Sequence, residues 1–247
     1  MMIPFRTGLL TLLLCLACSP MLPAQKTYAL RLSTDLTLGG LGIGSGAAGW
    51  AFGKKIRPLQ PDQLALLNRN EVYPLDRKAT WLVSEKAAQA SDLVFYSATL
   101  APLLLLVDPN VRKESGVISV LYLETLALTG GITQLTKNLV KRPRPYTYNP
   151  EFPMPPKQQR DARKSFFSGH TSSTAASCFF AAKVWSDFHP GSKWKPVVWA
   201  AAAGIPAFTG FLRVRAGRHF FTDVATGYAI GATIGWLVPV LHQEPAP

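Results

Sequence analysis

The stretch RVRAGRHFFTDVATGYAIGATIGWLVPVL, residues 213–241, decides the fold because it joins a polar turn to a long segment without charge. Residues 224–241 carry no charged side chain, and neither do residues 196–212 before the turn. A helix that crosses a bilayer needs about 20 apolar residues, with a range of about 17–25. Two such segments around one short turn predict two membrane helices that run in opposite directions.

Further apolar segments precede this pair, at residues 36–53, 93–107, 115–136 and 171–185. Their abundant Gly, Ala, Ser and Thr favour close helix packing inside a membrane. Some of the segments reach the length of a span only when flanking residues are counted, so a soluble all-helical core is the alternative. We predict an all-α fold, a bundle of about six apolar helices that spans a membrane.

The composition narrows the classes of function. The chain has 247 residues, of which 48% are hydrophobic and 16% are charged, whereas soluble domains carry about 25% charged residues. Coiled coils and long disordered tails are therefore excluded. Lys and Arg number 26 against 14 Asp and Glu, a formal charge of +12. This balance favours an anionic partner: nucleic acid, lipid headgroups or a phosphorylated substrate.

Residues 1–24 have the pattern of a signal peptide, with Arg6 before a short apolar core and a small-residue region before Gln25. An uncleaved first helix is the alternative. Two of the three cysteines, Cys15 and Cys18, lie in this segment. After cleavage, Cys178 would have no partner for an intrachain disulfide, and we expect it to be a small hydrophobic residue in a helix.

Two polar segments interrupt the apolar pattern. Residues 54–92 mix both signs of charge and predict a connecting loop with amphipathic pieces. Residues 137–164 contain eight Lys or Arg and six Pro. Proline fixes φ and removes a backbone donor, so we expect a rigid basic loop without helix, suited to holding an anion. A solvated positive loop is the alternative.

Two motifs flank this basic loop. Lys137 and Arg144 form the pattern K-x6-R-P at the end of the third apolar segment, where two cations about two helical turns apart can reach one phosphate. Ser168, Gly169 and His170 lead into the fourth segment. Glycine admits close approach of the backbone to an anion, the helix start attracts negative charge, and histidine can transfer a proton. A simple helix cap is the alternative interpretation.

The third motif contains Arg213, His219 and Asp223, between the last two apolar segments. On a helix, His219 and Asp223 would share a face, where the carboxylate can bind one ring nitrogen and leave the other as a nucleophile. Arg213 adds a forked cation for phosphate oxygens. All three motifs lie at ends of apolar segments that an alternating bundle brings to one side. We therefore predict a phosphoryl-transfer site at one end of the bundle.

With these motifs the sequence resembles the type 2 phosphatidic acid phosphatase family, which shares its fold with vanadium haloperoxidases and bacterial acid phosphatases. The resemblance runs from about residue 93 to residue 241. Phe167 and Leu212 stand where the family often has proline and serine. We expect a signal peptide over 1–24, an N-terminal Gly-rich helix and amphipathic loop over 25–92, a phosphatase helical core over 93–241 and a tail over 242–247.

The resemblance implies a role for each motif residue. His219 attacks phosphorus and becomes a phosphohistidine, Asp223 orients it, and His170 protonates the leaving group and then activates water. The expected phosphate-binding residues are Lys137, Arg144, Ser168, Gly169 and Arg213. No cofactor or metal is expected, because three cations can stabilise the charge of the transferred group and the sequence offers no obvious carboxylate cluster.

The activity implied is that of a metal-independent phosphatase acting on a phosphate monoester or pyrophosphate of a membrane lipid, in a bacterial cell membrane. Expected partners are the phosphorylated lipid and the membrane, without nucleic acid or an obligate protein partner. The alternatives are a vanadate-dependent haloperoxidase, a soluble periplasmic acid phosphatase, and a non-enzymatic transporter or lipid-binding module.

The expected orientation has the site facing the periplasm or exterior. Basic residues in the short loops opposite the motifs support it by the positive-inside rule; these are Arg112, Lys113, Lys193 and Lys195. A cleaved signal would conflict with this orientation, because three crossings at 36–53, 93–107 and 115–136 would then put the first motif inside. Either residues 36–53 do not span, or the signal is not cleaved and does not cross the membrane as a separate span.

Several polar residues outside the motifs have no assigned role. Lys141, Arg142, Arg215 and Arg218 either contact a second phosphate or headgroup, or form a positive rim. Glu124 lies in an apolar segment, where ionisable groups are costly, and is either a packed polar contact or part of the pocket. His189 and His242 are expected to be solvated.

Overall fold

The computed structural model describes residues 26–245, so the predicted signal peptide over residues 1–24 lies outside the described residues. Six long helices dominate this part of the chain: α1 Leu32–Lys54, α2 Glu85–Leu100, α3 Ser115–Val140, α4 Gly169–Phe188, α5 Lys195–Arg215 and α6 Phe221–His242. Residues 26–245 contain no strand, only an isolated bridge between Tyr28 and Gln243. The predicted all-α bundle is confirmed.

Short helical turns fill the connections. The α-helical turns are Pro61–Ala65, Pro74–Arg77, Pro109–Lys113 and Met154–Lys157, and the 3₁₀ turns are Arg69–Glu71, Lys78–Trp81, Ala101–Val107, Pro145–Tyr148 and Arg160–Arg163. The expectation that prolines keep residues 137–164 free of helix is wrong. Pro145 and Pro155 stand in the first turn of a short helix, where the missing N–H has no helical partner to lose.

Helix α2 begins at Glu85, well before the apolar segment at residue 93 that predicted it. The Ser84 side chain accepts a hydrogen bond of 3.2 Å from the N–H of Ala87, and Glu85 places negative charge in the first turn. Both features stabilise a helix start without adding hydrophobicity. The apolar pattern therefore marked the part of α2 that contacts other helices or lipid, and missed its polar beginning.

Glycines let two pairs of parallel helices approach closely. On α6, a methyl group at Gly231 would overlap the carbonyl oxygen of Ser172 on α4. A methyl group at Gly227 would lie 2.7 Å from the carbonyl oxygen of residue 168, and one at Gly235 would overlap the carbonyl oxygen of residue 176. On α1, Gly42 and Gly49 lie against the α3 backbone at residues 127–128 and 134–135. Small residues spaced in this way are typical of helix contacts in membranes. Because both pairs are parallel, α1 ends beside the end of α3, and α6 begins beside the start of α4.

The hydrophobic core is largest at the end of the bundle where α6 finishes. Its fully buried members include Tyr28, Leu121, Phe180, Val184 and Val238. Cys178 is buried within α4, as predicted. The opposite end, where α3 and α5 finish and α4 and α6 begin, is occupied by polar residues.

Within residues 26–245, four helical segments are long and apolar enough to cross a membrane: Glu85–Val107, Ser115–Tyr148, Lys195–Arg215 and Phe221–His242. Large apolar side chains also cover the outer faces of α1, α2 and α5; examples are Ile43 at 71% exposure, Leu93 at 69% and Phe211 at 58%. A continuous apolar exterior of this kind is unfavourable in water and suits lipid. The protein is a membrane protein.

The expectation that His189 and His242 are solvated is wrong. His242 is fully buried in the last turn of α6, and its Nδ1 lies 2.8 Å from the carbonyl oxygen of Val238. His189 is half-buried, with Nε2 2.9 Å from a carboxylate oxygen of Asp108. Both were assigned to loops or tails because hydropathy does not distinguish a helix end from the segment that follows it.

Candidate active site

The three motifs lie together at one end of the bundle, where the direction of the helices brings them. Lys137 is in the last turns of α3, Ser168 caps α4, Arg213 is in the last turn of α5 and Asp223 is in the first turn of α6. His219 lies in the short connection between α5 and α6. Helix ends therefore bring together residues that are far apart in the sequence.

Arg144 and His219 form the centre of the site. Arg144 Nη1 lies 3.1 Å from His219 Nε2 and donates to the carbonyl oxygen of Arg218 at 2.9 Å. Its Nη2 donates to the Asp161 carboxylate at 2.9 Å, and its Nε to the Asp161 carbonyl oxygen at 2.9 Å. The guanidinium is buried, so these contacts fix its plane beside the imidazole.

The hydrogen bonds of His219 determine which ring nitrogen carries the proton. Nδ1 lies 2.8 Å from the carbonyl oxygen of Ser165, which can only accept, so Nδ1 is the protonated nitrogen. Nε2 is left with its lone pair beside Arg144. Burial, and then the charges of Arg144, Lys137 and Arg213, hold the pKa of His219 well below its usual value of 6.5. The ring is therefore neutral at physiological pH, as a nitrogen nucleophile requires.

Asp223 does not take the ring N–H as the sequence had suggested. Its Oδ2 lies 3.6 Å from His219 Nδ1, and accepts instead from Ser165 Oγ at 2.5 Å and from the Phe220 N–H at 2.9 Å. The reason is that His219 precedes α6 instead of lying on it, so Asp223 caps the helix. Asp223 thus holds Ser165, and the carbonyl group of Ser165 holds the imidazole.

Lys137 and the start of α4 form the neighbouring wall. Lys137 Nζ donates to the carbonyl oxygen of Lys164 at 2.7 Å and is almost fully buried. A methyl group on Gly169 would lie 3.7 Å from Lys137 Cε, so the ammonium stem passes beside the helix start. Ser168 is buried and its Oγ accepts from the Thr171 N–H at 3.4 Å. The Ser168 side chain therefore caps α4 at the position where α4 meets the site.

His170 and Arg213 are joined by a residue that the motifs do not include. Asp92 Oδ1 lies 2.8 Å from His170 Nε2 and 3.3 Å from Arg213 Nη1. Arg213 is buried, and its Nη1 also donates to Ser91 Oγ at 3.1 Å. Burial and the positive charge of Arg213 lower the pKa of His170 to about 4, against the opposing attraction of Asp92. Without a phosphate, His170 is neutral at pH 7.

Sequence reasoning missed Asp92, Ser165 and Asp161. Asp92 was assigned to the end of a polar loop, yet it lies inside α2, whose polar start hid its position. Ser165 and Asp161 lie in or next to the basic loop, for which the prediction rested on lysine, arginine and proline alone. Nothing in their spacing points to His219 or Arg144, because only the fold of this loop brings them there.

Two of the four basic residues flanking the motifs have defined partners. Arg142 forms ion pairs with Asp223 at 2.6 Å and Asp76 at 2.8 Å, and its guanidinium lies over the Phe220 ring. It therefore supports the loop that carries His219, and is not free to bind a second phosphate. Arg218 lies 3.4 Å from Glu85 near the surface, whereas Lys141 and Arg215 are exposed.

An apolar cavity of about 700 Å³ lies between α2, α4 and α5. Its lining includes Leu93, Ala98, Cys178, Ile205 and Phe208. Leu93 directly follows Asp92, so the cavity begins next to the site and continues along the helices. Its chemistry suits a hydrocarbon chain.

Comparison with known proteins gave one family and one structure. The family model of the PAP2 superfamily matches residues 118–246. A solved structure of a transmembrane PAP2-type phosphatidylglycerolphosphate phosphatase from Bacillus subtilis is similar at 19% identity and a TM-score of 0.40, covering 85% of this chain and 94% of that one. No curated protein matches the chain. The family match covers more than half of the sequence and all three motifs, and the chain belongs to the PAP2 superfamily.

Proposed function

We propose that the protein is a metal-independent phosphatase that hydrolyses a phosphate monoester or pyrophosphate of a membrane lipid through a phosphohistidine. The observation that carries this proposal is the state of His219: a buried, neutral imidazole whose Nδ1–H is bound by Ser165 and whose Nε2 lone pair lies beside Arg144. Arg144 contacts this nitrogen, and the buried Lys137 and Arg213 add positive charge nearby, so the position next to it suits a phosphoryl group.

In the first step, the oxygens of the substrate phosphate bind Lys137, Arg144 and Arg213. The Nε2 lone pair of His219 attacks phosphorus, and the N–P bond forms as the bond to the leaving oxygen breaks. The cations stabilise the charge on the equatorial oxygens in the transition state. His170 gives its proton to the leaving oxygen, and a bound phosphate favours the protonated form of His170 by adding negative charge beside it.

In the second step, His170 is neutral and takes a proton from water. The water oxygen attacks phosphorus, the N–P bond breaks, and inorganic phosphate leaves with its negative charge still neutralised by the three cations. His219 returns to its starting state, because its Nδ1 keeps its proton, which is donated to the Ser165 carbonyl oxygen, in both steps. The cycle needs no group other than these side chains and water.

The lipid class of the substrate is supported by the cavity between α2, α4 and α5. Its lining is apolar, and it begins beside Asp92, which contacts both His170 and Arg213. A phosphate bound at the site would therefore leave the attached hydrocarbon chain next to an apolar channel inside the membrane. A small soluble phosphate ester would leave this cavity unused.

In this proposal the site faces the periplasm or exterior. Helix α1 runs parallel to α3 along its whole length, so α1 begins at the end opposite the site. An outward site therefore requires Lys26 to be inside, and residues 1–24 to stay attached without crossing the membrane as a separate span. Arg112, Lys113, Lys193 and Lys195 lie at that inner end, in agreement with the positive-inside rule, although the site end carries more cations, several of them buried or ion-paired.

The test is phosphate release by detergent-purified protein from phosphatidic acid, phosphatidylglycerol phosphate, undecaprenyl pyrophosphate and lipid A phosphate, each with and without chelator. We expect turnover of at least one lipid, with an initial rate that the chelator does not change. His219→Asn should lower kcat by about 10³-fold or more. His189→Asn is the matched control and should retain the wild-type rate.

Trapping the intermediate distinguishes the role of His219 from that of His170. With an aryl phosphate whose leaving group needs no proton, His170→Asn should accumulate a phosphoenzyme that is labile to acid and stable to base. His219→Asn should form none. A fully active His219→Asn protein would refute the nucleophile, and a chelator that abolishes the rate while leaving the Tm unchanged would refute the metal-independent mechanism.

A further inference from the structure

A second group of ionisable residues lies at the opposite end of the bundle from the phosphate site. Asp35 is in the first turn of α1, Glu124 is within α3 and His242 is in the last turn of α6. One ligand atom from each lies within 4.8 Å of the others. Glu124 is 7% exposed and His242 is fully buried, so charge here is expensive unless it is neutralised.

The hydrogen bonds of His242 leave its second nitrogen facing two acceptors. Nδ1 lies 2.8 Å from the carbonyl oxygen of Val238, so Nδ1 carries the proton of the neutral ring. The Nε2 lone pair then faces Asp35 Oδ1 at 2.8 Å and Glu124 Oε2 at 3.6 Å. Two carboxylates and a lone pair repel one another unless a positive charge lies between them.

Among the described residues, lysine and arginine supply no such charge, which leaves protonation of His242 or a bound cation as its source. Within residues 26–245, neither Asp35 nor Glu124 forms an ion pair with Lys or Arg. Glu124 Oε2 is buried and has no hydrogen-bond donor among the same residues. The buried Glu124 Oε2 therefore faces the imidazole lone pair, and no lysine or arginine among residues 26–245 neutralises its charge.

We propose that Asp35, Glu124 and His242 bind a divalent transition-metal ion. Ligands about 2.0–2.1 Å from such an ion are roughly 2.9–3.4 Å apart at octahedral or tetrahedral angles, and the two separations from Nε2 lie close to this range. Imidazole with two carboxylates suits Zn²⁺, Mn²⁺ or Fe²⁺. An Nδ1–H bound to a backbone carbonyl is the usual support of a metal-bound imidazole.

The ion would link three helices far from the chemistry. Glu124 is thirteen residues before Lys137 on α3, a distance of about 20 Å along a helix, so the ion takes no part in phosphoryl transfer. It would join the start of α1 to the end of α6, where Ala29 N–H already donates to the carbonyl oxygen of His242 at 3.0 Å. The metal would therefore stabilise the contact between the start of α1 and the end of α6.

The experiment uses full-length protein without a polyhistidine tag, stripped with chelator and titrated with Zn²⁺, Mn²⁺ and Co²⁺. We expect one saturable site per chain, visible absorption from bound Co²⁺, and a rise in Tm of about 5 °C with Zn²⁺. Glu124→Gln and His242→Gln should each weaken binding by about tenfold or more. Asp35→Asn, at the less buried position, keeps the test valid if a buried variant fails to fold.

His189→Gln is the matched control. His189 also has Nδ1 on a backbone carbonyl and Nε2 near a carboxylate, Asp108, but it lacks a second carboxylate. The control should bind the metal as the wild type does. The proposal is overturned if the stripped protein binds none of the three ions saturably, or if the ligand variants bind as tightly as the wild type. An imidazolium at His242, seen by ¹⁵N NMR with metal present, would overturn it too.

Discussion

The neighbours of His219 determine the tautomer and the protonation state of its imidazole. The Ser165 carbonyl group fixes its tautomer, Arg144 lies at its free nitrogen, and burial disfavours its protonated form. A positively charged imidazole could not attack phosphorus, so in the proposed mechanism the cations that bind phosphate also keep the nucleophile neutral. Substrate binding and nucleophile activation would then be two consequences of one cluster of positive charge.

The lowered pKa of His219 predicts the acid limb of the activity profile. The reactive form is neutral, and protonation removes it only when pH falls through a pKa that lies well below 6.5. We therefore expect kcat/KM to keep its plateau down to pH 6.5 and to fall only at lower pH. The measurement uses two aryl phosphates whose phosphate groups have different second pKa values. A fall in rate that comes from titration of the enzyme occurs at the same pH with both substrates. A limb centred at or above pH 6.5 with both substrates would contradict the assignment.

Asp92 is predicted to be a positioning residue for His170. Its carboxylate contacts the His170 ring and favours the imidazolium that protonates the leaving group. Asp92→Asn should lower kcat on a lipid phosphate, whose alkoxide leaves poorly, by about 10²-fold. An aryl phosphate that needs no proton should be hydrolysed at nearly the wild-type rate.

The contrast between the two substrates distinguishes positioning from a general structural defect. Damage to the site would slow both reactions equally, and an equal loss would remove Asp92 from this role. Gln89→Ala, at an exposed position about one turn before Asp92 on α2, is a suitable control and should change neither rate.

At the scale of helices, the contact between α4 and α6 sets the position of the loop that carries His219. Gly227, Gly231 and Gly235 allow the two backbones to approach. At the top of this contact, the Ser168 N–H donates to the carbonyl oxygen of Asp223 at 3.0 Å. The second and third motifs are therefore joined directly, by main-chain atoms, as a consequence of glycines that have no chemistry of their own.

Gly231→Ala should destabilise the protein by about 1–3 kcal/mol, because the added methyl group would overlap the Ser172 carbonyl oxygen and force α4 and α6 apart. Gly44→Ala is the matched control, since nothing lies near its added methyl group on α1, and alanine favours helix by up to about 1 kcal/mol. Thermal unfolding in detergent measures both. Equal Tm values for the two variants would show that the close contact is not needed.

At the scale of the whole molecule, the parallel pairs determine which ends of the chain lie together. Helices α1, α3 and α5 run towards the site, and α2, α4 and α6 run away from it. The start of α1 and the end of α6 meet at the other end, through the bridge between Tyr28 and Gln243. Both described termini are therefore on the side of the membrane opposite the site.

An outward site predicts a specific labelling pattern in intact cells. In a chain with Cys15 and Cys18 replaced by Ser, Arg160→Cys lies beside Asp161 at the site end, and Lys193→Cys lies in the opposite loop. A membrane-impermeant maleimide should label the Arg160 variant before lysis and the Lys193 variant only after it. The intact mass should include residues 1–24. The reverse labelling pattern, with a shortened chain, would place the site inside.

The sequence alone was enough for the helical fold and the membrane location, because hydropathy is a local property of the chain. It also supplied the motif residues that the helix ends bring together, whose catalytic roles stay a prediction. It misjudged the polar start of α2 and the prolines of the basic loop, because caps and first-turn positions carry little hydrophobic signal.

Only the folded structure identified the hydrogen-bond partners that lie far apart in the sequence. The His219 ring is held by Ser165, and the His170 ring contacts Asp92. The His242 ring contacts Asp35, which is 207 residues away in the sequence. No sequence interval encodes such pairs. They arise from the parallel packing of α1 with α3 and of α4 with α6, which is set by close backbone contacts, and the chemistry of the protein depends on them.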